Sequence, residues 1–223
     1  LLFSLFLATI VKSQLTTTQT LTPQQLVQNV LLGGGVTASN ITYSGSPLQI
    51  AQFVASTSTS LGISSGVFLS SGNASTASPN GPQGPNGASG TTTGFGGPGD
   101  VNLNTVSTAG TEDAAILEFD FVPSNDSVKF RYCFGSEEYP EYAPPNNSGY
   151  NDVFAFFLTG PNPLGGNYTN KNIALIPGTT TAVSINNVNP VTNATFYRNN
   201  TGNLINCEFD GFTKVLFALE KVV

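Results

Sequence analysis

Short apolar runs separated by turn residues constrain the fold of this chain most strongly. The candidate strands NIALIPG, TAVSINNV, ATFYRN and FTKVLFALE are each bounded by Gly, Pro or Asn. The chain has 24 Gly and 14 Pro, a content typical of many turns and few long helices. Several short strands joined by turns predict an all-β fold, which we expect to be a β-sandwich of jelly-roll type.

Two segments depart from the strand pattern. The stretch TPQQLVQNVLLGGG predicts one short N-terminal helix, with Thr22 as N-cap, Pro23 at the first helical position and Gln25 completing a capping box. Residues 70–99 consist almost wholly of Gly, Ser, Thr, Asn, Pro and Ala. So long a polar stretch is unusual inside a compact domain, and we expect a long Gly/Ser/Asn-rich surface loop there.

The first residues and the cysteines both favour an exported protein. Residues 1–13, LLFSLFLATIVKS, are too short an apolar run to span a membrane and are typical of part of a signal peptide, a buried first strand being the alternative. We expect residues 14–21 to be a spacer and residues 22–223 to form one β-sandwich domain. Cys133 and Cys207 fit a single disulfide in an oxidising compartment, or otherwise two buried thiols.

A hairpin is the most detailed structural prediction. The runs AAILEFDFV and SVKFRYCF alternate cleanly between apolar and polar residues and flank the turn-forming group PSND. The register that pairs Phe119 with Phe130 also pairs opposite charges on the other face of the hairpin. Continued outward, this register places Glu112 opposite Glu137, and like charges that oppose each other in this way repel.

The stretch CFGSEEYPEY concentrates carboxylates without any basic residue among them. A hard cation such as calcium would relieve the repulsion, because it prefers carboxylate, amide and backbone oxygens. Two alternatives remain: a glycosidase pair of carboxylates across a cleft, or a solvated acidic loop without a role. The predicted calcium ligands are Asp113, Glu137, Glu138 and Asp152, followed by Glu112, Glu141 and Asn151.

Three tyrosines lie beside this acidic segment in the sequence. Tyr139, Tyr142 and Tyr150 are expected to be exposed, and exposed aromatic faces commonly stack on sugar rings. We therefore predict them as ligand-binding residues for a carbohydrate. The alternative is that they only shield the ends of strands.

Composition excludes several other functions. The chain contains no His, which excludes Ser-His-Asp catalysis and HExxH zinc sites. The formal net charge is −6 and the sequence pI is about 4.4, so there is no basic stripe to bind nucleic acid or anionic membranes.

The chain resembles the choice-of-anchor L domain. The resemblance rests on FRYCFGSEEYPEY, NDVFAFFLTGPNPLGGNY and NIALIPGTTTAVSINNVN, on DGFTKVL, and on the entry segment TPQQLVQNVLLGGGVTASNITYSG with GVFLSSGNA and GGPGDVNLN. It implies an exported bacterial surface protein, whose domain precedes differing C-terminal anchors, and it implies no reaction. Residues 143–150 lack the Cys that members often carry, and the pattern continues beyond Val223, so we expect C-terminal strands and an anchor to be missing from this chain.

Together these observations predict a secreted or cell-surface module for adhesion or ligand binding rather than an enzyme. We expect it to be stabilised by calcium and to bind an extracellular glycan or surface protein. The mature chain should contain no transmembrane segment and bind no nucleic acid. The alternatives are a carbohydrate-active hydrolase that uses the acidic cluster and a purely structural spacer.

Overall fold

The computed structural model describes residues 15–33, 36–56, 60–75, 94–146, 149–202, 205 and 207–222 of the 223-residue chain. The predicted signal peptide and most of the predicted long loop lie outside these ranges. Within them the chain forms fourteen strands. In chain order the strands are β1 (Leu15–Thr18), β2 (Val36–Ser44), β3 (Ile50–Ala55), β4 (Ser65–Leu69), β5 (Ile116–Pro123), β6 (Ser127–Tyr132), β7 (Gly135–Ser136), β8 (Val153–Phe154), β9 (Phe157–Pro161), β10 (Asn167–Asn172), β11 (Val183–Ser184), β12 (Tyr197–Asn199), β13 (Gly211–Thr213) and β14 (Leu216–Lys221).

The predicted N-terminal helix is present and begins at the predicted cap. The Thr22 side chain accepts a hydrogen bond from the amide of Gln25 at 3.2 Å, and the Gln25 side chain accepts one from the amide of Thr22 at 2.9 Å. The helix α1 (Pro23–Gln25) continues as a π-helical turn over Leu26–Leu31. Single 3₁₀ turns cover Pro47–Gln49, Leu103–Thr105 and Ala194–Phe196. The capping-box prediction is thus confirmed.

Every strand pair in the described residues is antiparallel, and the strands form six small sheets. In the two three-stranded sheets, β3 lies between β1 and β4, and β13 lies between β12 and β7. The two-stranded sheets pair β2 with β5, β6 with β14, β8 with β11 and β9 with β10. This confirms an all-β fold of sandwich type with one short α-helix in the described residues; the jelly-roll connectivity stays a prediction.

The predicted pairing of the two hairpin strands is wrong, but the predicted buried face of β6 is confirmed. Strand β5 pairs with β2 and β6 pairs with β14, so Phe130 lies opposite Ala218 instead of Phe119. The apolar side chains of β6 face the core as predicted, and its polar ones are exposed. Alternation identifies the buried face of a strand, whereas several partners can satisfy that face equally well. The predicted opposition of Glu112 and Glu137 therefore does not occur.

Among the residues that the structure describes, the core consists of three apolar clusters. The largest is rich in aromatic contacts, and Tyr132 packs against the rings of Phe154 and Phe156 at centroid distances of 5.0 and 5.8 Å. The first cluster contains Tyr132, Leu158, Tyr168, Ile173, Ala174, Ile176, Val183, Val188, Leu216 and Ala218; the second contains Leu15, Phe53, Ala55, Leu61, Ile63, Ile205, Cys207 and Phe212; the third contains Tyr139, Ala143 and Ile185.

The sheet β12–β13–β7 positions the acidic segment that begins at Ser136. Gly211 in β13 lies opposite Ser136 on one side and opposite Asn199 on the other. A Cβ atom on Gly211 would lie 2.6 Å from the Tyr139 ring and 2.7 Å from the Tyr197 ring. Only glycine allows this close approach. The acidic segment is therefore held tightly against the residues around position 211.

Candidate functional site

Three carboxylates line one small recess in the surface, which we call the acidic recess. Its volume is about 90 Å³. The other walls are the polar loop that follows β4 and the ring of Phe209. The lining residues are Ser70, Ser71, Gly72, Asn73, Glu137, Glu138, Asp152 and Phe209.

The buried side chain of Ser136 joins the two acidic arms of the recess. Its hydroxyl donates a hydrogen bond to Oδ2 of Asp152 at 2.6 Å and accepts one from the amide of Glu138 at 3.0 Å. Because Ser136 lies in β7 and pairs with β13, the sheet fixes this hydroxyl. The lining residues lie outside the strands, and Ser136 attaches two of the acidic ones to strand β7.

The opposite wall of the recess depends on a buried glutamine. The Gln49 side-chain amide donates to the carbonyl oxygens of Ser71 and Asp113, at 3.0 and 2.6 Å, and the main-chain carbonyl of Gln49 accepts from the amide of Ser70. Ser46 and Gln49 form a second capping box, which holds the glutamine in place. Gln49 was not predicted as a site residue, although SPLQ repeats the S/T-P-x-Q pattern of TPQQ.

Burial and mutual repulsion perturb the carboxylates of the recess. Burial and, in decreasing order, the negative charges of Asp152, Glu137 and Glu141 together raise the pKa of Glu138 to about 7. The pKa of Asp152 is also raised, chiefly by burial, although the hydrogen bond from Ser136 opposes the shift. Protein atoms surround the Asp152 carboxylate, but the residue is exposed to solvent where it lines the recess.

One oxygen of Glu138 has no hydrogen-bond partner among the residues that the structure describes. This atom, Oε2, is buried. The only salt bridge in the same residues joins Lys171 to Glu220, away from the lining residues of the recess. Within the described residues, therefore, neither Glu138 nor Asp152 forms a salt bridge.

The structure separates the remaining predicted ligands from the acidic recess. The carboxylate of Asp113 accepts hydrogen bonds from the amides of Phe95 and Gly97 and so serves a local loop. Glu112 is exposed and forms an isolated β-bridge with Pro98.

The last two predicted ligands lie beside the recess residues in the chain. Asn151 has a structural role, because its side-chain oxygen accepts from the amide of Asn186 at 3.3 Å. Glu141 is exposed and influences the pKa of Glu138 through its charge. Over the described residues, no group of three or more His, Cys, Asp or Glu side chains is arranged to hold a metal ion.

The three predicted tyrosines differ in exposure. Tyr139 is 0% exposed, and its hydroxyl donates to the carbonyl of Val188, so the expectation that Tyr139 is an exposed ligand-binding residue is wrong. The close approach of Gly211 explains the burial of this ring. Tyr142 and Tyr150 are 42% and 59% exposed, and their rings meet edge to face at 5.2 Å.

The predicted disulfide is also wrong, because both cysteines are free thiols. The Cys133 thiol donates to the carbonyl of Thr213 at 2.9 Å, and the Cys207 thiol accepts from the Asn200 side chain at 3.7 Å. Burial raises the pKa of Cys133 to about 11 and that of Cys207 to about 12. Cys207 is buried and Cys133 is partly buried, so both behave as small apolar side chains, close to the alternative that the sequence left open.

Comparisons with known proteins identify the family. No curated protein and no solved structure matches the chain. In the described residues no helix is long and apolar enough to cross a membrane. The family model for the choice-of-anchor L domain matches residues 14–223, and a domain of this type indicates a surface-associated, extracellular module. Because this match covers nearly the whole chain, the chain belongs to the choice-of-anchor L domain family.

Proposed function

We propose that this chain is a surface-associated binding module in which the acidic recess holds a calcium ion. The observation that carries the proposal is the buried Oε2 atom of Glu138, which has no partner among the described residues and lies in a recess with two further carboxylates. Leaving a buried carboxylate oxygen unpaired is unfavourable, and a bound cation would remove that cost.

The chemistry of the recess suits calcium better than a transition metal. Its lining offers carboxylate, hydroxyl, amide and backbone oxygens but no imidazole or thiolate. Calcium accepts six to eight oxygens in flexible geometry and takes several of them from water. Because the carboxylates do not converge tightly, we expect weak binding, with a Kd of about 0.1–1 mM as in extracellular calcium modules.

Glu138→Gln tests this site directly. In a calorimetric titration with CaCl₂ at pH 7.5, we expect the recess to lose affinity by about tenfold or more, because a ligand charge is removed while the side chain keeps its shape. The matched control is Glu118→Gln, which makes the same change on the exposed face of β5. Equal calcium binding by the two variants would rule out the recess as the site.

An exposed aromatic pair beside the recess points to a carbohydrate ligand. The amide of Tyr142 donates to the carbonyl of Glu138 at 2.9 Å, which ties Tyr142 to the wall of the recess. Tyr142 and Tyr150 together present a wide aromatic surface to solvent. Aromatic faces pack against the apolar faces of sugar rings, and a calcium ion nearby can accept sugar hydroxyls as ligands.

Tyr150→Ala tests the carbohydrate surface. On an array of bacterial and plant polysaccharides, we expect the unmodified protein to bind in calcium and Tyr150→Ala to bind about tenfold more weakly, the loss of one contact worth about 1.4 kcal/mol. Phe217→Ala is the control, because Phe217 is also an exposed aromatic residue but lies on β14. If no polysaccharide on the array bound, carbohydrate binding would be excluded. The remaining hypotheses would be binding of a surface protein and a purely structural role as a spacer.

A carbohydrate-active hydrolase is the second candidate, and the pKa of Glu138 favours it. A carboxyl group with a pKa of about 7 suits a general acid. A glycosidase also needs a second carboxylate that stays ionised, and the pKa of Asp152 is raised as well. We therefore favour binding over catalysis. If the protein released reducing sugar, and Glu138→Gln abolished that release without loss of fold, the preference would be reversed.

A further inference from the structure

One face of the two-stranded sheet β6–β14 is exposed to solvent. At alternate positions of both strands the residues are exposed, whereas the residues between them are buried or partly buried. Because alternate side chains of a strand point to the same side, the exposed positions form one face of the sheet. We call it the basic face, and it consists of Ser127, Lys129, Arg131, Phe217, Leu219 and Lys221.

The strand register arranges these six side chains in three rows, each with one basic residue. The rows are Arg131 opposite Phe217, Lys129 opposite Leu219, and Lys221 opposite Ser127. The two side chains of a row are about 5 Å apart, and successive rows are about 7 Å apart along the strands. Only the pairing of these two distant strands brings the three basic residues together, so no local stretch of the sequence shows the group.

None of the three basic side chains on this face forms a salt bridge in the described part of the chain. The one salt bridge there joins Lys171 to Glu220. The face also has no acidic member, although the chain has 13 acidic residues and a formal net charge of −6. Three of the seven basic residues of this acidic protein therefore lie together without a salt bridge, an arrangement that attracts a negatively charged partner.

The apolar side chains of the face favour a protein as the partner. Phe217 and Leu219 are 47% and 60% exposed, and covering them would be favourable. The Lys129 ammonium group lies 4.3 Å from the centre of the Phe217 ring, over the ring face on which a sugar would otherwise stack. The same charge opposes insertion of the ring into lipid, because a charged group enters a bilayer only at high cost. These contacts favour a peptide over a carbohydrate or a membrane.

The size of the basic face suits a peptide rather than a second globular protein. Three rows of two side chains cover about 20 Å by about 10 Å, or roughly 200 Å². A stable interface between two globular proteins buries about 800 Å² on each partner. Alternate side chains of an extended peptide are about 7 Å apart, which equals the spacing of the rows. An extended peptide with carboxylates at alternate positions would thus place one carboxylate in each row.

We propose that the basic face docks an extended acidic peptide segment of another protein, with carboxylates that pair with Arg131, Lys129 and Lys221. The methylene groups of its glutamate side chains would pack on Phe217 and Leu219. The negative net charge of the chain repels acidic peptides in general, so binding would be confined to this face. This surface shares no residue with the lining of the acidic recess and does not depend on calcium.

Fluorescence anisotropy with a labelled peptide of four Glu-Thr repeats tests the proposal. In EDTA at pH 7.5 and low salt, we expect the unmodified protein to bind this peptide, and to bind the same peptide with Gln in place of Glu about tenfold more weakly. Lys129→Gln and Arg131→Gln should each weaken binding about threefold, and together about tenfold, because each exposed ion pair contributes modestly. The matched control is Lys214→Gln, which removes an exposed lysine outside the face and should leave binding unchanged.

Three outcomes would overturn the proposal. The first is no binding of the Glu peptide, and the second is equal weakening in Lys214→Gln and Arg131→Gln, which would indicate attraction to positive charge in general. The third is tighter binding of polygalacturonate or of phosphatidylglycerol vesicles that Lys129→Gln and Arg131→Gln together abolish, which would make an acidic polysaccharide or a lipid surface the partner. Because every titration contains EDTA, none of these outcomes bears on calcium binding in the acidic recess.

Discussion

Tyr139→Ala should lower the free energy of unfolding by about 4 kcal/mol, the usual cost of removing a fully buried aromatic side chain. Tyr139 is completely buried in the small core cluster with Ala143 and Ile185. Its ring lies 5.1 Å from that of Tyr197, and its hydroxyl binds the carbonyl of Val188. Truncation would leave a cavity and an unpaired carbonyl. Urea unfolding followed by circular dichroism measures the difference.

Two further variants separate the causes of this loss. Tyr139→Phe keeps the ring and removes the hydrogen bond, so it should cost only about 1 kcal/mol. Tyr142→Ala removes an exposed tyrosine three residues away and should cost less than about 1 kcal/mol. If Tyr139→Ala were no more destabilising than Tyr142→Ala, the buried position of Tyr139 would be wrong.

Tyr139 also shows what local sequence could not reveal. Within SEEYPEY it stands among charged residues, and nothing near it in the chain indicates burial. Its ring packs against Gly211 and Tyr197, which are more than fifty residues away in the sequence. The pairing of β12, β13 and β7 brings these residues next to Tyr139. The exposed aromatic surface therefore consists of Tyr142 and Tyr150, two of the three tyrosines that were predicted to form it.

For the strands too, features set by neighbouring residues were predicted correctly, whereas pairing with a distant segment was not. The alternation in β6 correctly predicted its buried face, and the capping box correctly predicted the helix start. The partner of β6 was mispredicted, because Ala218 in β14, which lies opposite Phe130, is 88 residues further along the chain. No local pattern distinguishes such a distant partner from a neighbouring strand.

The acidic recess was partly predictable for a related reason. Glu137, Glu138 and Asp152 were grouped from the sequence and do line one recess. The prediction that Glu112 and Asp113 lie with them was wrong, because it depended on a hairpin pairing that does not form. Gln49 went unnoticed because its role is to hold distant backbone, at Ser71 and Asp113, which only the fold brings together.

In the absence of calcium, the protein should become less stable as the pH rises from about 4.5 to about 7. The pKa of Glu138 is raised from 4.5 to about 7 in the folded protein. Between these values the folded state holds a proton that the unfolded state has released, so stability falls as the pH increases. Glu138 is partly solvated, and after allowance for screening we expect a loss of about 2 kcal/mol from it.

Other carboxyl groups act in the same direction. The pKa values of Asp152, Glu208 and Asp210 are raised too, each chiefly by burial. The lowered pKa of Glu220 opposes them only below its unfolded value, because its stabilisation is lost as the pH falls. In EDTA, the melting temperature should therefore drop by about 4–8 °C between pH 5.0 and pH 7.5, on the basis of Glu138 alone.

Calcium should reverse this loss at pH 7.5 and have little effect at pH 5.0, because a cation and protons compete for the same carboxylates. At a concentration of 100 times the Kd, one calcium site adds about 2.7 kcal/mol. Glu138→Gln should flatten the pH dependence in EDTA and reduce the calcium effect together, whereas Glu118→Gln should alter neither. A melting temperature in EDTA that rises toward pH 7.5 would show that the recess carboxylates are not destabilised by burial, and the reason for a cation there would disappear.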